Sequence, residues 1–136
     1  MNAVAINEDL RPVPDADSDP YWQGLREHRL ALQRCRRCAR QRFPALPACP
    51  YCASPDATWH DIDGAATVYS FIEVRRAFDP SFADDIPYTI ATVDLDTGGR
   101  LVARIDGQAA IGDRVTPVFV DHDAWTELRF ERSQAP

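Results

Sequence analysis

The sequence predicts a mostly β chain: a short N-terminal helix, a small metal-stapled finger, and a five-stranded barrel at the C-terminal end. Three observations predict it. The only four cysteines, Cys35, Cys38, Cys49 and Cys52, form two Cys-x-x-Cys pairs ten residues apart. From residue 66 onward, β-branched and aromatic runs alternate with Gly- and Asp-rich turns. Just before the cysteines, one short segment carries apolar residues at helical spacing.

Residues 1–18 read as a flexible acidic leader, with Pro12 and Pro14 and the acids Asp15 and Asp17. Asp19-Pro20 then signals a helix start, Asp19 as cap and Pro20 at the first helical position. The helix is expected over residues 20–28. Tyr21, Trp22 and Leu25, with His28 next in the series, share one face. Those aromatics suit either core packing or a docking surface. Residues 29–34 alternate as a strand around Leu30 and Leu32.

The cysteine spacing gives the most specific expectation. Each Cys-x-x-Cys forms a knuckle that aims two sulfurs at one point, and two knuckles supply the four ligands of a tetrahedral site at about 2.3 Å. The second, Cys49-Pro50-Tyr51-Cys52, has the Cys-Pro-x-Cys form of rubredoxin-like ribbons. With four thiolates no coordination position stays open, so the metal is expected to be structural; Zn²⁺ is favoured and iron is the alternative. A zinc ribbon needs only two short strands, two knuckles and the metal. Arg42-Phe43-Pro44-Ala45-Leu46-Pro47 supplies an extended linker between the knuckles.

After Trp59 and a Gly64 turn, strands are expected at residues 66–74, 88–95, 100–105, 114–120 and 126–130. Residues 76–87 form a loop and Asp96-Thr97-Gly98-Gly99 a hairpin turn. Five strands is the number of an OB fold. Pro117 marks an edge or bulged strand, as in a partly open barrel. The division is therefore leader 1–18, helix plus ribbon 19–58, and OB-fold domain 59–136.

Composition excludes several chemistries. All 15 basic residues are arginine, so no lysine can form a Schiff base or act as a general base. The net charge of −6 argues against a nucleic-acid-binding surface, although an OB module stacking single-stranded bases on Tyr69, Phe71 and Tyr88 is the alternative reading. No apolar run reaches membrane-helix length. The first nine residues lack a basic, then apolar, secretory pattern, so a cytoplasmic location is expected. His28, His60 and His122 show no ligand spacing. Asp84-Asp85 and Asp94-x-Asp96 sit in turns, as solvated acids do. Ser70 and Ser81 lack a nucleophile-elbow context. No complete catalytic set emerges.

Residues 34–42 carry Arg34, Arg36, Arg37, Arg40 and Arg42 with no acid. Three readings stay open: a solvated surface that offsets the charge of a metal–thiolate centre, a clamp for coenzyme A phosphates, or a face for an acidic partner.

Taken in order, Leu30-Ala31-Leu32-Gln33-Arg34-Cys35-Arg36-Arg37-Cys38, Phe43-Pro44, Cys49-Pro50-Tyr51-Cys52, Trp59, Gly64 to Ser70, Pro87-Tyr88, Val93 to Asp96 and Ile111 to Val115 resemble the zinc-ribbon/OB-fold family known as domain of unknown function 35, over residues 19–131. The resemblance implies a non-catalytic accessory subunit. Its partner would be a thiolase-like protein in a hetero-oligomer acting on acyl-CoA by acyl transfer, thiolysis or retro-aldol cleavage, as in steroid side-chain degradation. Acyl-CoA would be a ligand of that complex. On this reading Tyr21, Trp22 and the five arginines are candidate contacts to the partner or to coenzyme A. Two departures stand out: Ala39 follows Cys38, and Ala66 follows the Gly64 turn, where the family often has glycine.

Overall fold

The computed structural model describes residues 10–133. Of the expected acidic leader, residues 1–9 lie outside the described residues, as do residues 134–136. Helix α1 runs Asp19–Arg26. The strands are β1 Leu30–Cys35, β2 Gln41–Arg42, β3 Ala57–Ile62, β4 Ala66–Val74, β5 Tyr88–Leu95, β6 Arg100–Asp106, β7 Arg114–Asp121 and β8 Thr126–Arg132.

The helix starts one residue earlier than the sequence predicts and ends two earlier. Ser18, not Asp19, is its cap residue. Ser18 is itself tied back, its amide and hydroxyl both donating to the Asp15 carboxylate at 2.8 Å, and Asp19 occupies the first turn, where its charge suits the amide end of the helix. At the other end His28 turns into the left-handed region (φ 57°), which breaks the helical repeat before β1.

The ribbon has three strands rather than two, ordered β2-β1-β3. Strand β3 pairs with β1 from Leu30↔Ile62 to Cys35↔Ala57, so residues 59–62 hydrogen-bond to the ribbon and not to the barrel. Strand β1 reads almost continuously apolar because it lies centrally, with Leu30, Ala31, Leu32 and Cys35 all buried.

The five remaining strands close a barrel in the order β4-β5-β6-β8-β7. Closure is complete, where the sequence predicted a partly open barrel. The seam is short, however: β7 meets β4 only at Ala66↔Val115 and Thr67↔Arg114. Pro117 lies past that seam, paired to Phe130 on β8 alone, so its missing N–H costs no ladder bond to β4. A register shift between Val68 and Ser70 leaves Tyr69 as a bulge in β4. Ala66, at the departure from the family pattern, is fully buried at the start of β4.

One core serves both parts. Phe130, Val68, Val93, Leu101, Ile105 and Val115 fill the barrel, and Leu25, Leu30 and Leu32 continue the same cluster into the ribbon. The helix stitches the two. Tyr21 packs on Phe43 of the ribbon linker at 5.3 Å between ring centroids, and Trp22 packs edge-on against Trp125 at 6.4 Å. No helix among the described residues is long and apolar enough to cross a membrane.

Candidate metal centre

The two knuckles are built alike. In the first, the Cys35 carbonyl accepts the Ala39 amide at 3.0 Å, and the Cys35 amide donates to the Arg40 carbonyl at 2.9 Å. In the second, the Cys49 carbonyl accepts the Ala53 amide and the Cys49 amide donates to the Ser54 carbonyl, both at 2.8 Å. Each chain reversal needs a left-handed residue just after its second cysteine. Ala39 (φ 65°) and Ala53 (φ 66°) take that conformation despite their Cβ atoms. The departure from glycine at Ala39 thus falls on a left-handed position, with an equivalent at Ala53 that the sequence reading missed; its position one past Cys52 was the available signal.

The knuckles bring the four Sγ atoms within 4.8 Å of one another. Cys35–Cys52 and Cys38–Cys49 stand at 3.6 Å. A tetrahedron with bonds of about 2.3 Å has edges of about 3.8 Å, so the cage fits one Zn²⁺-sized ion. Backbone amides aim at the sulfurs, from Arg37 to Cys35 at 3.3 Å and from Tyr51 to Cys49 at 3.4 Å. Such bonds favour thiolate. The Cys35 thiol is pulled down to about 6, first by the Cys38 amide. Burial works against ionisation at Cys49, yet the amides of Tyr51 and Cys52 still lower it. At Cys52 the Ser54 amide also acts to lower the pKa, but burial and the neighbouring thiols outweigh it and push the value up to about 11. Four sulfurs this close cannot all ionise unless a cation shares their charge.

The structure separates the other predicted contact residues into two groups. Arg34, Arg36, Arg37 and Arg40 are exposed around the first knuckle, with Arg40 over the Tyr51 ring at 4.6 Å. Arg42 and Tyr21 are not on the surface. Arg42 is 3% exposed and serves the fold: its Nε donates to Gln33 Oε1 at 2.9 Å and its Nη2 to the Leu46 carbonyl at 3.1 Å, fixing the Phe43–Leu46 linker. Tyr21 lies in the shared core, where burial raises its pKa. Trp22 is half-buried between the helix and Trp125.

The histidines are each engaged by a side chain. His28 bonds Asp121 at 2.9 Å, His122 bonds Glu127 at 2.8 Å, and His60 bonds the Gln41 Oε1 at 2.8 Å. Asp85 pairs with Arg104, Asp94 with Arg100 and Asp96 with Arg114. Gln41, which no motif singles out, links the parts. Its Nε2 donates to Thr97 Oγ1 and to the Gly98 carbonyl, both at 2.7 Å, across from ribbon to barrel hairpin.

Comparison with known proteins agrees with this architecture. Residues 22–57 match the family described as ChsH2, rubredoxin-like zinc ribbon domain, and residues 59–120 match ChsH2, C-terminal OB-fold domain. A probable enoyl-CoA hydratase alpha subunit of Thermomonospora curvata is 37% identical over 125 residues, which is 87% of this chain and 36% of that protein. The 3-oxo-4,17-pregnadiene-20-carboxyl-CoA hydratase alpha subunit of Mycobacterium tuberculosis is 28% identical, over 90% of this chain and 40% of that protein. The chain therefore spans well under half the length of these two relatives. The benzoylsuccinyl-CoA thiolase subunit BbsA of Thauera aromatica is 26% identical, over 75% of this chain and 63% of that protein. Among solved structures, the Ltp2-ChsH2(DUF35) aldolase contains a chain that superposes with a TM-score of 0.79 at 32% identity, covering 90% of this chain and 98% of that one.

Proposed function

The chain belongs to the ChsH2 family of zinc-ribbon/OB-fold (DUF35) proteins, and on that footing we propose that it is a non-catalytic accessory subunit of an acyl-CoA-acting enzyme. Its partner is a thiolase-like protein in a hetero-oligomer. The partner carries out acyl transfer, thiolysis or retro-aldol cleavage, with a steroid side-chain acyl-CoA as one candidate substrate. Zn²⁺ on Cys35, Cys38, Cys49 and Cys52 is structural and holds the ribbon.

The observation that carries this reading is the near-complete match to the DUF35 chain of a two-component aldolase, which runs through both ribbon and barrel. The chemistry of the side chains supports it. All four cysteines converge on one closed site, and the histidines are held by Asp121, Gln41 and Glu127 rather than facing a common cleft. The nucleic-acid alternative has less support. The barrel arginines Arg100, Arg104, Arg114, Arg129 and Arg132 are already paired with carboxylates, which leaves little free positive charge on the OB strands to track a phosphate backbone.

Co-expression with each thiolase-like protein of the same organism tests the proposal. A stable complex, active on acyl-CoA only with both chains present, is the expected result. Turnover of acyl-CoA by this chain alone would overturn it.

A further inference from the structure

We propose that the metal end of the ribbon is an electrostatic docking face for the acidic surface of a protein partner. Arg36, Arg37 and Arg40 lie on the first knuckle, with Arg34 behind them on β1 and Tyr51 beside them on the second. This inference rests on the accessory-subunit reading and names the surface that would do the binding.

The first observation is a contrast in how arginines are used. The chain carries an excess of carboxylates, with a net charge of −6. Arg29 beside the ribbon, and Arg75, Arg100, Arg104, Arg114, Arg129 and Arg132 on and around the barrel, each pair with an Asp or Glu. Among the described residues, Arg34, Arg36, Arg37 and Arg40 have no carboxylate partner although all four are exposed; Arg26 and Arg76 also lack one, but each stands apart, Arg26 on the Ala124 carbonyl and Arg76 over the Phe78 ring, whereas these four fall within seven residues of one another. The segment that holds them contains no acid. The result is a cluster of unpaired positive charge on a negative molecule, the arrangement that orients an encounter with an acidic surface.

The second observation is Tyr51. It is 54% exposed at the tip of the second knuckle, and the Arg40 guanidinium lies over its ring at 4.6 Å. Arg and Tyr are among the residue types that anchor protein interfaces most often, Tyr because it buries a large area with few rotatable bonds and Arg because its planar guanidinium pairs with carboxylates through a fixed fork of donors. Here they are also held rigid from beneath. Amide–carbonyl bonds close both knuckles and the cysteine cage joins them, so little backbone freedom is left to lose on binding.

A protein surface fits this face better than a coenzyme A phosphate. A small ligand needs a concave site. Two cavities among the described residues, of about 360 and 370 Å³, lie elsewhere, one beside Trp59, His60 and Asp61 and the other at the barrel end by Tyr88 and Gln108, and none of the four guanidiniums lines either.

The test uses the full chain and the thiolase-like proteins of the same organism, each tried in turn. Association is followed by stopped flow across a range of sodium chloride concentrations for wild type, the reversal R36E/R37E, the neutral R36Q/R37Q, and R75E as a barrel control. Docking through this face predicts a roughly 10- to 100-fold slower association for R36E/R37E at low salt, a smaller loss for R36Q/R37Q, a flattened salt dependence in both, and wild-type behaviour for R75E. A wild-type complex whose association rate and salt slope survive both double substitutions overturns the docking face and leaves the subunit reading intact. A wild type that forms no complex overturns the subunit reading itself. Two further measurements separate the alternatives. Saturable binding of coenzyme A to the isolated chain, lost in R36Q/R37Q, would assign the arginines to phosphate and overturn the proposal. So would a variant that loses metal to a chelator the wild type withstands and regains normal association in excess zinc, because the arginines would then serve the metal centre.

Discussion

Alanine occupies two positions where the backbone wants glycine. Ala39 and Ala53 sit at φ 65° and 66°, each one residue past the second cysteine of its knuckle. A left-handed L-residue costs about 1–2 kcal/mol, partly offset by the extra freedom glycine has in the unfolded chain. Ala39→Gly and Ala53→Gly are therefore each expected to stabilise the metal-loaded protein by about 0.5–1 kcal/mol in urea unfolding. Loss of stability in both variants would show that the alanine methyls pack usefully. The opposite change is expected at Gly64. There φ is 78°, and an added Cβ would lie 2.3 Å from Pro117 Cγ and 2.9 Å from Leu30 Cδ2. Gly64→Ala should cost at least about 2 kcal/mol, since strain and overlap act together. A midpoint within experimental error of wild type would mean that this joint yields easily. At this scale the cysteines were fully legible, because a metal cage is written in spacing. Arg42 was not: its sequence context matches the exposed arginines around it, and only pairing with β1 turns it inward onto Gln33.

Between elements, the ribbon is tied to the barrel by few but directional contacts. Strand β2 is two residues long, yet Gln41 bonds the β5–β6 hairpin at Thr97 and Gly98 and also holds the His60 ring of β3. Gln41 is 4% exposed, and its removal takes a hydrogen-bond partner from the part-buried Gly98 carbonyl and His60 ring, while the exposed Thr97 hydroxyl can turn to water. Gln41→Ala is expected to cost about 1–3 kcal/mol and to loosen the hairpin, read as faster amide exchange at residues 95–99 and 41–43. Unchanged exchange at the hairpin would show that the apolar joint alone holds the ribbon. The individual barrel strands were legible from alternation and from Asp-Thr-Gly-Gly turn chemistry, and observed bounds fall within about two residues of the expected ones. The pairing of β3 was not. Residues 57–62 read as a lead into the barrel, since a local pattern names a strand without naming its neighbour. Barrel closure escaped for the same reason: two residue pairs at Ala66 and Thr67 complete it, too few to leave a mark in the sequence.

For the molecule as a whole, the question is how far the metal supports a fold whose core is continuous. The barrel has its own fully buried residues, among them Phe130, Val68, Val93, Ile105 and Val115. Helix α1 contributes Leu25 and ribbon strand β1 contributes Leu30 and Leu32 to the same cluster, but beyond Cys35 the knuckles and linker bury few apolar side chains. The free energy of binding the ion must substitute there for a core. Chelation is therefore expected to act unevenly. Amide protection should collapse first in residues 35–56, then weaken in β1 and β3, while the barrel strands keep their exchange rates and the melting temperature falls without complete unfolding. Acid should act in the same direction, because each proton added to a thiolate competes with the metal, so retention of zinc falls as pH falls. Metal content followed by mass spectrometry alongside hydrogen exchange checks both. If stripped protein keeps full protection in its knuckles, the cage is dispensable for the fold. If instead the barrel melts together with the ribbon, the shared leucines couple the two halves into one cooperative unit and the metal stabilises the entire chain.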